Sequence, residues 1–159
     1  MAQDIAKSPH VAHASYIVWP ADLMRAGYGP SMRLAYRLAI EAVRYAVRPY
    51  CPLACIDGSI PWYPHHSYML PRADATVKVV SIASCYGKSV QVKAMHAIHK
   101  LYPEYGFDSH HGYYCKQHHD AIVKYGMIIG VHRFGVIARM PAFQAHKLTK
   151  HPTPYERSV

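Results

Sequence analysis

Apolar residues return every three or four positions along Met32, Ala35, Tyr36, Ala39, Val43 and Val47, the spacing of one helix face. Ser31 offers a cap before that run and Pro49 stops it, so the pattern predicts a helix from Ser31 to about Val47. A second helix is expected from Val79 to Lys100, turning Met95 and Ile98 inward, until Tyr102–Gly106 breaks it. A third is expected from Lys116 to Tyr125, ended by Gly126. Two stretches read as strands instead. His13–Trp19 is rich in β-branched and aromatic residues and stops at Pro20. Leu53–Ile56 is short and apolar and delivers Asp57 at its end. Between these elements, Ala26–Pro30 reads as a turn. Residues 60–73, with Pro61, Trp62, Tyr63, Pro64 and Pro71, read as a surface loop. Met127–Val131 is a short apolar segment, expected to be extended. Strands alternating with helices predict an α/β domain over 1–140, followed by a basic, proline-containing tail over 141–159.

Charge changes the picture most. Lysine and arginine number 18 against nine acidic residues, for a net charge of +9 and a pI near 9.4. Such a balance favours a phosphate-rich partner, because each neutralised phosphate releases counterions. It also serves solubility alone. Arg33, Arg37, Glu41, Arg44 and Arg48 recur on one face of the first helix, as a solvated face or a secondary basic face for phosphates. A hydrophobic share of 51% with 17% charged residues is globular, and no apolar run approaches the ~20 residues of a membrane span. The first ten residues lack the apolar core of a signal peptide, so an intracellular protein is expected.

Four cysteines (Cys51, Cys55, Cys85, Cys115) lack metal-type pairing and are expected to be free thiols. The histidine pairs His65/His66, His110/His111 and His118/His119 invite zinc, but no HxxxH or CxxC pattern supports it. No metal and no cofactor is expected.

The stretch Tyr105-Gly-Phe-Asp-Ser-His-His-Gly-Tyr-Tyr-Cys-Lys-Gln-His118, followed by Gly130-Val-His-Arg133, resembles the C-terminal signature of ribonuclease HII. That family cuts DNA duplexes beside embedded ribonucleotides. Cys55-Ile-Asp57-Gly58 is similar to its central strand, which puts Asp57 on a metal-binding aspartate. Arg72 to Lys88 is similar to a further family segment, with Asp74 and Lys88 on matching letters. The resemblance implies an RNase H-like fold, a mixed β-sheet flanked by helices, trimmed relative to the family. It also implies that Tyr113 stacks where ribonucleotide meets deoxynucleotide, with His110, His111 and Gly112 near the backbone. Lys88, Lys93, Lys116 and Arg133 add phosphate contacts.

The departures from the family pattern concern catalysis. The family's opening D-E-A-G-R-G, with two carboxylates and a backbone clamp, has only Asp4-Ile-Ala-Lys-Ser-Pro9 as a counterpart, and Val92 stands where the fourth carboxylate is expected. A pair of hard divalent cations needs several carboxylate oxygens. On this pattern Asp57 is a vestigial ligand, no catalytic residue remains, and the chain is expected to be a noncatalytic RNA-binding protein. Single-stranded or messenger RNA is the expected ligand, in a bacterial cytoplasm or a phage-infected cell. Two alternatives stay open. One is a metal-dependent ribonuclease for RNA–DNA hybrids or embedded ribonucleotides, with substituted ligands such as Asp4, Asp57 and Asp74. The other is a self-assembling adaptor subunit, a homo-oligomer covering its trimmed edges.

Overall fold

A computed structural model describes residues 7–59 and 64–132. Asp4, the loop residues 60–63, Arg133 and the basic tail lie outside the described residues. The chain sorts into two compact units, residues 1–17 with 29–90 and residues 18–28 with 91–159.

In the first unit, helix α2 (Tyr28–Ala46) precedes strands β1 (Ala54–Asp57) and β2 (Ser67–Leu70), a single helical turn α3 (Ala73–Thr76) and the start of α4 (Lys78–Leu101). The strands pair in parallel, from Ala54 opposite Ser67 to Asp57 opposite Leu70. Arg44 ties both strand entries to α2. Its guanidinium donates to the carbonyl oxygens of His65 at 2.9 Å, His66 at 2.6 Å and Pro52 at 3.4 Å. The basic stripe is therefore not a uniform solvated ridge. Arg44 is spent on the fold, Arg37 faces Glu41 at 3.9 Å, and Arg48 lies past the helix end with its guanidinium over the Tyr45 ring.

The second unit holds α1 (Pro20–Ala26), the rest of α4, a 3₁₀ turn (Pro103–Tyr105), the one-turn α5 (Phe107–His110) and α6 (Lys116–Tyr125). Its core is Ile98, Tyr102, Tyr105, Phe107, Ala121, Ile122, Met127 and Ile128, with Trp19, Met95, Tyr125 and Val131 packed against it. Tyr102, Tyr105, Phe107 and Ile128 are the largest wholly buried side chains. Burying each contributes roughly 1.5–3 kcal/mol by area. The Tyr105 hydroxyl, stranded in this apolar volume, donates to the Gly126 carbonyl at 2.9 Å, and burial pushes its pKa well up. Gly106 carries φ +70°, and a Cβ there would run into the Gln117 side-chain amide. Glycine is what lets the chain turn from the 3₁₀ segment into α5.

Four expectations are corrected. Met127–Val131 is not extended throughout but turns after Ile128, whose carbonyl accepts from the Val131 N–H at 3.2 Å and the His132 N–H at 3.0 Å. His13–Trp19 forms no strand; Pro20 does not stop an element but opens α1 at a position where its missing N–H costs nothing. Asp22 accepts from the Trp19 N–H at 3.3 Å and closes that helix start. The expected turn at 26–30 shrinks to Gly27, because Pro30 sits in the first turn of α2; Ser31 is a buried helical residue rather than a cap. The expected loop over 60–73 contains β2. By contrast α4 and α6 run almost as their periodicity predicts, and the α/β class holds.

Candidate nucleic-acid interface

The signature segment folds into a turn whose tip is exposed and whose base is locked. Tyr113 and Tyr114 are 58% and 68% exposed. The Tyr113 N–H donates to the His110 carbonyl at 2.8 Å, and its own carbonyl lies 3.1 Å from His118 Nδ1. Gly112, at φ +82°, crosses close above α4: a Cβ there would lie 3.0 Å from Met95 Sδ. Gln91 of the same helix donates to the His111 carbonyl at 3.4 Å, and the His96 and His111 rings meet at 5.5 Å. A rigid base beneath two exposed aromatic rings suits stacking, since little order has to be gained on binding.

Lys116 is exposed as the first residue of α6, and Lys93 is exposed on the α4 stretch that supports the turn. His111 is half-buried, and Gly112 is exposed. These residues share the second unit with Tyr113. His110 does not join them at the surface. It is buried, with Nε2 2.8 Å from the Tyr105 carbonyl and Nδ1 accepting from the Gly112 N–H at 3.2 Å. The two rings part at the positive φ of His111: His110 is buried, whereas His111 is half-buried against His96. Lys88 is exposed but belongs to the first unit, as do Arg33, Arg37, Arg44 and Arg48. Tyr114, next to Tyr113 and more exposed, was not singled out from the sequence; adjacent tyrosines ahead of a helix start were the available signal.

Beneath the turn, His110, His118 and His132 form a buried cluster with Phe107 and Tyr105. The His110 and His118 rings stack at 4.4 Å, and His118 Nε2 lies 3.1 Å from His132 Nε2. Burial lowers the pKa of His118. Burial and then the neighbouring His118 push His132 down to about 3. Both shifts favour the neutral imidazole for His118 and His132.

The matched carboxylate has a different setting. Asp57 is exposed at the end of β1, and its Oδ1 accepts from the Ala73 N–H at 2.8 Å, satisfying the start of α3. Val92 is a half-buried residue of α4 and offers no ligand. Among the described residues, no three His, Cys, Asp or Glu side chains gather as metal ligands. These residues alone do not fit a two-ion site.

The mixed α/β architecture is consistent with an RNase H-like fold, the class of a nucleic-acid-related protein. Comparison with known proteins narrows the class. No family model matches. The chain is 33% identical over 101 residues to Ribonuclease HII of Hydrogenovibrio crunogenus, covering 63% of this chain and 47% of that one. It is 38% identical over 96 residues to Ribonuclease HII of Vibrio vulnificus, covering 60% and 44%. It is 32% identical over 132 residues to Ribonuclease HII of Neisseria meningitidis serogroup B, covering 80% and 63%. These relatives support an RNase HII-like family for the chain, which spans about half the length of the first relatives it matches.

These relatives are named for an enzyme. That overturns the expectation that the chain is no enzyme, which rested on counting carboxylates against a family pattern. Among the described residues, no helix is long and apolar enough to cross a membrane.

Proposed function

We propose that this chain binds ribonucleotide-containing nucleic acid through the exposed turn 112–116 and acts as a metal-dependent ribonuclease on it. RNA–DNA hybrid, or duplex DNA carrying a ribonucleotide, is the substrate class. Tyr113 stacks on the ligand, Tyr114 flanks it, and Lys93 and Lys116 neutralise phosphates. The observation that carries the reading is the pairing of two exposed tyrosines with a backbone fixed from below on both sides of Tyr113. Asp57 is the carboxylate assigned to a cation.

The test is one titration read on native and denaturing gels. Labelled single-stranded RNA, RNA–DNA hybrid and duplex DNA with one ribonucleotide are incubated with the protein and magnesium or manganese. Retarded complexes weakened by Tyr113→Ala, with metal-dependent products lost in Asp57→Asn, are expected. Asparagine keeps an acceptor for the Ala73 N–H, so the fold is spared. Retarded but intact strands under every metal condition would refute the cleavage, and no retardation would refute the binding.

A further inference from the structure

The hydrogen bonds beneath Tyr113 run in one direction only. The Ile128 N–H donates to His132 Nδ1 at 2.8 Å, so that nitrogen must carry a lone pair. The proton of neutral His132 then sits on Nε2, which faces His118 Nε2 at 3.1 Å. His118 Nε2 must accept, so its proton sits on Nδ1 and is donated to the Tyr113 carbonyl at 3.1 Å. The chain starts at a backbone N–H in the buried 127–128 segment and ends at the backbone of the exposed tyrosine. His110 is fixed by the same logic. The Gly112 N–H occupies its Nδ1, and its Nε2–H is donated to the Tyr105 carbonyl.

We propose that His118 and His132 are positioning residues for Tyr113, a relay that holds the nucleic-acid turn only while both imidazoles are neutral. The proposal rests on the binding role given above to Tyr113. A proton added to either ring puts an N–H against an N–H, at the histidine pair or at Ile128. The relay cannot keep its geometry with that charge. Two titratable side chains are packed against the pair. His110 stacks on His118, and the Tyr105 ring lies 5.3 Å from His132. Neither is an acid that could compensate an imidazolium. The other ring packed there, Phe107, is 5.4 Å from His118 and 5.8 Å from His132. The depressed His118 and His132 agree with this arrangement.

The relay gives RNA binding a pH dependence of unusual sign. A chain with thirteen histidines gains positive charge on acidification, and a purely electrostatic RNA binder then tightens. A relay that releases Tyr113 weakens binding instead.

The experiment has three arms on the full chain. First, nitrogen-detected NMR of the unliganded protein at pH 7.5 reads the tautomers. A proton on Nδ1 of His118 and on Nε2 of His132 and His110 is expected; the Nε2 tautomer of His118, or an imidazolium, overturns the relay. Second, the backbone amides of Tyr113 and Tyr114 are followed as the pH falls from 6.5 towards 3. They are expected to shift together with the His118 ring signals and ahead of global unfolding by circular dichroism; amides that stay fixed until the whole chain unfolds overturn it. Third, a fluorescent RNA–DNA hybrid, without added divalent metal, is titrated against the native chain, His118→Leu and His118→Asn.

Asparagine places a donor where Nδ1 stands and restores affinity. Leucine lacks it and weakens binding roughly tenfold, about the value of one buried hydrogen bond. A folded leucine variant that binds like the native chain overturns the positioning role. If leucine fails to fold, the tautomers and amides of the native chain decide. A native chain that binds no hybrid at pH 7.5 removes the functional reading, while the first two arms still judge the relay.

Discussion

His118 Nε2 and His132 Nε2 face each other at 3.1 Å in the core of the second unit, with both residues buried. Two imidazoles at that distance share one proton between them, so both are neutral in the folded chain. Unfolding frees both to charge near pH 6.5. Their folded pKa values are lowered, so the unfolded state binds more protons at pH values between the folded and unfolded values. Stability is complete above about 6.5 and falls as the pH drops towards 3. For His132 alone the loss by pH 5 is about 2 kcal/mol. Urea midpoints at pH 7.5 and 5 check this, and His132→Gln should flatten the difference.

Tyr113→Ala removes a ring that is more exposed than buried, so thermal stability should hardly change. RNA affinity should fall by about 1–3 kcal/mol, the value of one stacked base. Tyr114→Ala should act in the same direction. Fluorescence anisotropy beside a melting curve separates lost contact from lost fold.

Gly106→Ala should destabilise the second unit. An L side chain at φ +70° costs roughly 1–2 kcal/mol, and the new Cβ also displaces Gln117. The contrast is Gly87→Ala, where a Cβ meets nothing within 4 Å and helix propensity improves by about 1 kcal/mol. Paired urea unfolding curves show whether the two glycines differ in sign.

Lys93→Gln and Lys116→Gln should weaken binding to single-stranded RNA without altering base preference. Each should reduce the slope of log affinity against log salt by about 0.7. Lys88→Gln, on the other unit, should change the slope less if the turn is the main contact.

The spacing of apolar residues was enough to place α4 and α6. Helix periodicity and terminal signals such as Tyr102–Gly106 and Gly126 act within a few residues, so no distant partner is needed to read them. The α/β class, the basic charge and the position of Asp57 at a strand end were legible for the same reason. The tyrosine-histidine-glycine spacing of 105–118 was legible as a motif, and the relatives of the chain are named for an enzyme.

Only the tertiary structure decided the rest. Ser67–Leu70 becomes a strand because β1 lies alongside and Arg44 gathers the carbonyls ahead of both, a contact over more than twenty residues. Pro20 opens a helix because Trp19 finds a core to pack on, whereas the same letters fit the end of a strand. Adjacent histidines 110 and 111 are chemically alike, yet they part at the positive φ of His111, the first buried and the second half-buried. The same folding brings His132 against His118 across fourteen residues and gives each ring its one tautomer. A sequence records which groups can donate and accept; the packed interior, where no water can substitute, fixes which of them do.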